Sequence, residues 1–207
     1  MTVIRKVDQL NPDPSVIAEA ASTIVHGGTV VFPTETVYGL GANATDNSAV
    51  LGIYQAKGRP ADNPLIVHFS SIEMMHRHVH VTRDVEAVAG KIWPGPLTII
   101  MKSRESISKA ARASLPTVGA RIPANPLALA LISKSQVPIA APSANISTKP
   151  SIVSSSEAIQ ELDGKVDMIL DAGETFFGIE STVIRRLGEG YEILRPGAIG
   201  VEELEPL

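Results

Sequence analysis

The segment at residues 57–64 (KGRPADNP) carries two cations separated by one glycine. Lys57 provides a point charge and Arg59 a planar fork of N–H donors, a common pair for holding phosphate oxygens. Gly58 and Pro60 bend the backbone so that both side chains can converge. The segment also follows a predicted helix, whose C-terminus favours cations without any ligand. It therefore indicates either an anion-binding site or a solvated helix end.

A second segment, residues 140–147 (AAPSANIS), follows a short apolar strand. Its small residues let a ligand approach the backbone closely. Ser143 and Asn145 offer a hydroxyl and an amide, although a turn in which they bond to their own backbone is the alternative. Ligands of α/β proteins bind at loops that follow strands, which favours a functional site here.

A third segment, residues 33–41 (PTETVYGLG), alternates hydroxyl side chains around Glu35 at the end of a buried strand. Gly39 and Gly41 also fit a relaxed dinucleotide-binding pattern. Six residues separate the strand from Gly39, where a dinucleotide fold needs a tight turn, and no acid ends the next predicted strand. The segment is therefore only weak support for a dinucleotide site.

Several other kinds of catalytic machinery are absent from the sequence. There is no cysteine, which excludes thiol nucleophiles, disulfides, zinc fingers and iron–sulfur clusters. There is no P-loop motif, and the lack of a G-x-S-x-G elbow disfavours a serine hydrolase. His76, His78 and His80 would share one face of a strand and could bind a metal, but no second ligand cluster supports this. We expect an exposed polar segment there and no protein-bound metal.

The composition is that of an ordinary globular domain. The 207 residues are 44% hydrophobic and 19% charged, and a chain of this length can bury a core without disulfides or metals. The net charge of −4 disfavours a dedicated nucleic-acid module, which is usually basic. Charge is nevertheless segregated, since residues 91–121 contain six basic residues and one acid. A locally positive site is therefore compatible with an acidic chain.

The sequence gives no sign of membrane association. Its apolar runs, such as residues 96–101, are far shorter than the roughly 20 residues that a membrane span requires. The first residues (MTVIRKVDQLNPDP) lack the hydrophobic region of a signal peptide. We therefore expect a cytoplasmic protein.

Helical and strand patterns alternate along the chain. Asp13 and Pro14 suit the N-cap and first position of a helix that glycines at 27 and 28 end. Further helices are expected at residues 46–57, 84–93, 126–133 and 156–162, and strands at 29–32, 65–69, 97–101, 118–122, 139–141, 168–171, 182–186 and 192–194. The last two strands predict an antiparallel hairpin. The whole pattern predicts an α/β fold, a single domain with a twisted mixed sheet flanked by helices.

Seven short motifs occur in a fixed order across residues 33–197: PTETVYGLG, KGRPADNPL, WPGPLT, ARIP, APSAN, FGIESTV and LRPG. This combination resembles the threonylcarbamoyl-AMP synthases with the YrdC-like fold, over nearly the whole chain. The resemblance implies an enzyme that joins L-threonine, bicarbonate and ATP, the last carried with Mg²⁺, into threonylcarbamoyl-adenylate and releases pyrophosphate. The product would feed a downstream tRNA threonylcarbamoyl transferase, which modifies the adenosine beside the anticodon.

The resemblance also implies roles for particular residues. The family's Lys-x-Arg and Ser-x-Asn signatures give the expected catalytic group, which also binds the nucleotide: Lys57, Arg59, Ser143 and Asn145. Further ATP contacts are expected at Asn63, Thr117, Ser151 and Arg195. Threonine contacts are expected at Thr36, His68, Arg121, Ala141 and Ser181. Among these, Arg121 is a natural bidentate partner for the threonine carboxylate.

Two features depart from the family pattern. Many members read Ser-Gly where this chain has Ser147, Thr148, Lys149 and Pro150, immediately before Ser151. Longer members carry a linker and a second, C-terminal domain that covers the nucleotide, and the opening IRKVDQLNPDP is similar to that branch. We expect residues 1–207 to form one catalytic domain without the second domain.

Two other functions remain open on the sequence alone. An RNA-binding module could use the basic residues 91–121 and would bind tRNA or double-stranded RNA tightly and with strong salt dependence. The 4% aromatic content leaves little for stacking bases. A paralogue could keep the nucleotide pocket and use another substrate, which omission of threonine would reveal. For the synthase itself we expect at most a transient contact with RNA.

Overall fold

Ten strands pair into one sheet in the computed structural model, which describes residues 1–205. The strands are β1 Val3–Lys6, β2 Val30–Pro33, β3 Tyr38–Asn43, β4 Ile66–His68, β5 Leu97–Lys102, β6 Thr117–Arg121, β7 Ile139–Ala140, β8 Met168–Asp171, β9 Thr182–Leu187 and β10 Gly190–Arg195. They pair in the order β1-β8-β2-β3-β7-β4-β6-β5-β9-β10. Within residues 1–205, seven helices accompany them: α1 Pro14–Val25, α2 Asn47–Lys57, α3 Ile72–His76, α4 Arg83–Ile92, α5 Pro126–Ser135, α6 Ser155–Leu162 and α7 Val201–Leu204.

The sheet is mixed, as the sequence predicts. Strand β8 is parallel to β1 and β2, β4 is parallel to β6, and β5 is parallel to β9. The remaining neighbours are antiparallel, including the predicted hairpin of β9 and β10. The predicted α/β architecture is therefore confirmed.

Local chemistry sets the ends of the helices beside the central strands. Asp13 caps α1 by accepting the Ser15 N–H at 2.7 Å, and Asp46 caps α2 by accepting the Ser48 N–H at 2.8 Å. Gly58 ends α2 in the left-handed conformation, with φ of 60°. That turn leaves Lys57 as a buried last residue of α2 and sends the chain toward Arg59 in a new direction.

Strand β3 was not among the predicted strands, since the sequence analysis treated Gly39 and Gly41 as a weak match to a dinucleotide-binding pattern after a buried strand. A Cβ at Gly41 would stand 2.6 Å from Cε1 of Phe32 and 2.7 Å from Cγ2 of Ile139. The glycines thus make room for packed neighbours within a strand, and no turn is required of them. Strand β1 and helices α3 and α7 were likewise not predicted.

The three alternating histidines do not lie on a strand. His76 is the last residue of α3 and pairs with Glu86 at 2.8 Å, and the His78 ring contacts the Ser106 hydroxyl at 3.0 Å. His80 is exposed, as expected for a polar segment. Within the described range, no helix has both the length and the apolar character that crossing a bilayer would need.

Candidate functional site

A cavity of about 260 Å³ lies on one face of the sheet, over strands β4, β6, β5 and β9. Strand register aligns His68 with Arg121, and Ile66 with Gly119. Because side chains alternate between the two faces of a strand, these four residues point to the same side. His68 and Arg121 form a polar row, which Thr98 extends, and Ile66 and Gly119 form an apolar row beside it.

Arg121 is the centre of the polar row and is 3% exposed. Its Nη2 lies 2.6 Å from Oε1 of Glu35, its Nη1 donates to the Thr36 hydroxyl at 3.1 Å, and its Nε donates to the Gly95 carbonyl at 3.3 Å. Burial lowers the pKa of Arg121, while the Glu35 carboxylate opposes that shift. The guanidinium is thus held in a fixed orientation at the cavity wall.

His68 lies next to Arg121 in the polar row and is buried. Burial, with the nearby Arg121 charge, lowers the pKa of His68 to about 3, so the ring is neutral at physiological pH. Its Nδ1 has no hydrogen-bond partner among the residues that the structure describes. A neutral imidazole facing the cavity can therefore exchange a hydrogen bond with a ligand.

Ser181 precedes β9 and joins the polar row from the far side. Its hydroxyl lies 2.8 Å from that of Thr98, and both residues are buried. Arg195, the last residue of β10, donates from Nη2 to the Ser181 carbonyl at 2.7 Å and to its hydroxyl at 3.2 Å. The β9–β10 hairpin therefore brings the Arg195 guanidinium to the cavity beside a serine hydroxyl.

Arg59, Asn63 and Ser143 line the opposite side of the cavity. The Arg59 guanidinium makes one long bond, from Nη2 to the Pro64 carbonyl at 3.4 Å, and its Nε has no partner in the described part of the chain. Such a guanidinium has donors left for an anion.

Lys57 has a different setting from Arg59. It is 2% exposed, and its Nζ donates to the backbone carbonyls of Ser143 and Asn145. Burial, and then the charge of Arg59, lowers the pKa of Lys57 to about 8. The loops around residues 57 and 143 are therefore in contact, and the Lys57 cation lies behind the loop wall.

The sequence-predicted residues divide into two sets by position. Nine line the cavity: Thr36, Arg59, Asn63, His68, Arg121, Ala141, Ser143, Ser181 and Arg195. Lys57 and Asn145 lie directly behind the wall, and the Asn145 Oδ1 accepts from the Ser143 hydroxyl. Ser151 donates its hydroxyl to Glu180, a lining residue. Thr117 lies on the cavity face two residues before Gly119, beyond the lining residues.

Sequence reasoning assigned no role to two acids of this site, Glu35 and Glu180. Each lies inside a quoted motif, but only the fold shows that Glu35 neutralises Arg121 and that Glu180 faces the cavity. Within residues 1–205, no group of three or more histidine, aspartate or glutamate side chains is placed to hold a metal ion.

Three arginines and a buried polar row around one cavity define an α/β domain whose site suits an anionic, polar ligand. The family model described as Sua5_yciO_yrdC, telomere recombination, matches residues 22–197. The chain belongs to this family, which confirms the resemblance inferred from the motifs.

Relatives named threonylcarbamoyl-AMP synthase include those of Pyrococcus abyssi and Bacillus subtilis. That of Pyrococcus abyssi is 48% identical over 187 residues, covering 90% of this chain and 55% of the relative. That of Bacillus subtilis is 44% identical over 200 residues, covering 96% of this chain and 58% of the relative. The chain thus spans little more than half the length of these relatives.

Solved structures agree with the fold. P. abyssi Sua5 complexed with L-threonine superposes with a TM-score of 0.95 and 46% identity, over 99% of this chain and 60% of that chain. Escherichia coli YciO gives a TM-score of 0.88 at 23% identity, over 99% and 100% of the two chains, and supports the fold alone.

Proposed function

We propose that this chain is the catalytic domain of a threonylcarbamoyl-AMP synthase, which makes L-threonylcarbamoyl-adenylate from L-threonine, bicarbonate and ATP. The observation that carries the proposal is the buried group of Arg121, Thr36, His68 and Ser181, flanked by Arg59 and Arg195. It offers an amino-acid pocket beside a phosphate-binding wall. The names of the relatives and the threonine complex of P. abyssi Sua5 support this proposal.

Arg121 suits the carboxylate of threonine. Its three nitrogens each have one protein oxygen within 3.3 Å. Since Nη1 and Nη2 carry two hydrogens each, two N–H groups remain for a substrate carboxylate. The small side chain of Ala141 leaves space in the cavity for the substrate, and Ser181 supplies a hydroxyl for a polar substrate group.

The remaining walls suit the reacting groups. The threonine amine must be neutral to attack bicarbonate, and a partly desolvated pocket lowers the pKa of an amine. Because His68 is neutral, it adds no positive charge that would repel the substrate ammonium before that ammonium loses its proton. In the first step the neutral amine nitrogen bonds to the bicarbonate carbon, and an amine proton leaves with the bicarbonate hydroxyl as water, which gives a carbamate.

In the second step a carbamate oxygen bonds to the α-phosphorus of ATP, and the bond to the bridging oxygen breaks as pyrophosphate leaves. This brings an anion to a polyanion. A pair of unit charges 4 Å apart interacts by about 4 kcal/mol at an effective dielectric of 20. Arg59 and Arg195 can offset that repulsion and stabilise the transition state, with Asn63 and Ser143 as additional donors.

Mg²⁺ belongs to the substrate nucleotide in this proposal. The cavity lining contains one carboxylate, Glu180, already bonded to the Ser151 hydroxyl. Bound to the nucleotide, Mg²⁺ would neutralise phosphate charge. We further propose a cytoplasmic reaction whose product passes to a tRNA threonylcarbamoyl transferase.

The RNA-binding alternative has no comparable support. Arg121, one of the six basic residues between 91 and 121, is buried in the cavity wall. The stretch is therefore not one continuous basic surface.

Pyrophosphate release from ATP tests the proposed function, with threonine and bicarbonate each omitted in turn. We expect release only when all three substrates are present, together with a threonylcarbamoyl-adenylate product detected by mass. Release that persists without threonine would favour a paralogue with another substrate, and no release under any condition would contradict the proposal.

A further inference from the structure

The loop at residues 143–149 carries Ser143 and Asn145 and is fastened from within. The Asn145 amide donates to the carbonyls of Ile146 at 3.0 Å and Lys149 at 2.8 Å. On one side the loop is held by Lys57, whose Nζ binds two of its carbonyls and whose own carbonyl accepts the Ser147 N–H at 3.1 Å.

A second attachment holds the same loop from the other side. Glu161, in the last turn of α6, accepts the Ile146 N–H through Oε2 at 3.0 Å. Its Oε1 pairs with Lys149 Nζ at 3.1 Å, and the Glu161 side chain is 17% exposed. The Ile146 N–H, more than Lys149, lowers the pKa of Glu161, so the carboxylate stays ionised.

We propose that Glu161 is a positioning residue for the nucleotide, which fixes the Ile146 amide and thereby the side chains of Ser143 and Asn145 at the cavity wall. This inference rests on the proposed function. Glu161 is not a lining residue of the cavity and its charge is paired with Lys149; it raises the pKa of Lys57 by less than burial and Arg59 lower it, so its main contribution is to geometry.

The peptide unit between Asn145 and Ile146 is held at both of its polar groups. Lys57 binds its carbonyl, that of Asn145, and Glu161 accepts its N–H, that of Ile146. Because a peptide unit is planar, these two contacts together fix its orientation. Small displacements of positioning groups are costly in catalysis, about 100-fold for 1 Å.

Four variants separate positioning from stability and from charge. Glu161→Ala removes both contacts, whereas Glu161→Gln keeps an oxygen that can accept the Ile146 N–H. Lys149→Ala removes only the ion pair. Glu157→Ala is the matched control on the same helix, because Glu157 completes the capping box of α6 and its side chain accepts hydrogen bonds from the N–H groups of Val153 and Ser154.

The measurements are the Kd of ATP by calorimetry and the KM values of ATP and threonine in full-length protein, with thermal unfolding as the measure of stability. We expect Glu161→Ala to weaken ATP binding about tenfold with an unchanged KM for threonine. Glu161→Gln should recover most of that loss, and Lys149→Ala should change it less than about twofold. Glu157→Ala should lower the melting temperature and leave the Kd of ATP unchanged.

The result distinguishes this inference from the proposed function. Wild-type protein that binds ATP but releases no pyrophosphate would contradict the function, while the Kd series still tests Glu161. An unchanged Kd of ATP in Glu161→Ala, or an equal loss in Glu157→Ala, would overturn the positioning role. Wild-type protein that does not bind ATP would overturn both.

Discussion

Arg121 and Glu35 form an ion pair with 2.6 Å between Nη2 and Oε1, and each side chain is only 4% exposed. A buried charge without its partner is far less stable than the pair, by roughly 3–5 kcal/mol. We therefore expect Glu35→Ala to lower the free energy of unfolding by about 3 kcal/mol, measured by urea denaturation. Glu35→Gln should cost less because its amide oxygen can still accept a hydrogen bond.

A surface pair provides the control for Glu35. Arg5 and Glu19 lie 2.8 Å apart with 44% and 42% of their side chains exposed, so Glu19→Ala should change stability very little. Equal losses in Glu35→Ala and Glu19→Ala would show that burial does not set the contribution of the Arg121 pair.

Arg59 lines the cavity and has donors without partners among the residues that the structure describes, so its loss should affect the ligand more than the fold. We expect Arg59→Ala to raise the KM of ATP by about 10-fold to 100-fold, the loss of one to two charge-assisted hydrogen bonds. Lys109→Ala, an exposed cation of the basic stretch, should leave it unchanged. The two variants compared in the pyrophosphate assay separate a phosphate contact from a general effect of charge.

Lys57 predicts a pH dependence in the alkaline range. Its pKa of about 8 means that the buried ammonium loses its proton as pH rises above 8, well before an exposed lysine does. The triphosphate is already fully ionised there, since phosphate groups have their last pKa near 6. Affinity for ATP, measured by calorimetry between pH 7 and 9.5, should therefore fall with a midpoint near pH 8.

Lys57→Met separates this titration from other groups. It should bind ATP weakly at pH 7 and show no further fall near pH 8. A wild-type midpoint retained in Lys57→Met would assign the titration to a different residue.

His68 predicts a pH dependence in the acid range. Its folded pKa of about 3 lies below the ordinary value of 6.5, so between these values the unfolded chain binds a proton that the folded chain does not. Stability must then fall as pH decreases from 6.5 toward 3. We expect His68→Phe to show a shallower fall in urea midpoint over this range, and His80→Asn, an exposed control, to follow the wild type. Imidazole NMR shifts showing a charged His68 at pH 5 would contradict the assignment.

Much of the local architecture followed from the sequence because its causes are local. Asp13 and Asp46 cap the N-termini of helices and Gly58 ends one, all through contacts within a few residues. The predicted positions of helices and strands follow from such local signals. Strand β3 was not predicted because a glycine is required at position 41 by the packing of Phe32 and Ile139, a tertiary constraint that a single sequence does not display.

The residues of the candidate site likewise divide into those that local sequence indicated and those whose environment depends on tertiary contacts. Residue types indicated an anion site at Arg59 and a polar loop at Ser143, both of which line the cavity. The partners of Lys57 lie 86 and 88 residues away, and the partner of Glu35 is Arg121 at the end of β6, so neither environment could be deduced from spacing. The family resemblance named residues but not these contacts.

Gly119 forms the floor of the cavity between Ile66 and Ile100, and a Cβ there would stand 3.0 Å from Cγ2 of Thr98. We expect Gly119→Ala to raise this floor and weaken ATP binding about tenfold, a loss near 1.4 kcal/mol. The effect on threonine binding should be smaller, because the apolar row that contains Gly119 continues toward Thr117, where an ATP contact is expected. Calorimetric titration with each ligand measures both effects.

Gly90 is the matched control for Gly119. It is exposed in α4, and beyond its chain neighbours and the adjacent helix backbone no atom of the described residues lies within 4 Å of an added Cβ, so Gly90→Ala should stabilise the fold by about 0.5–1 kcal/mol and leave ATP binding unchanged. Wild-type affinity for both ligands in Gly119→Ala would mean that neither substrate approaches the sheet at this point, and the ATP contact expected at Thr117 would lose its structural basis.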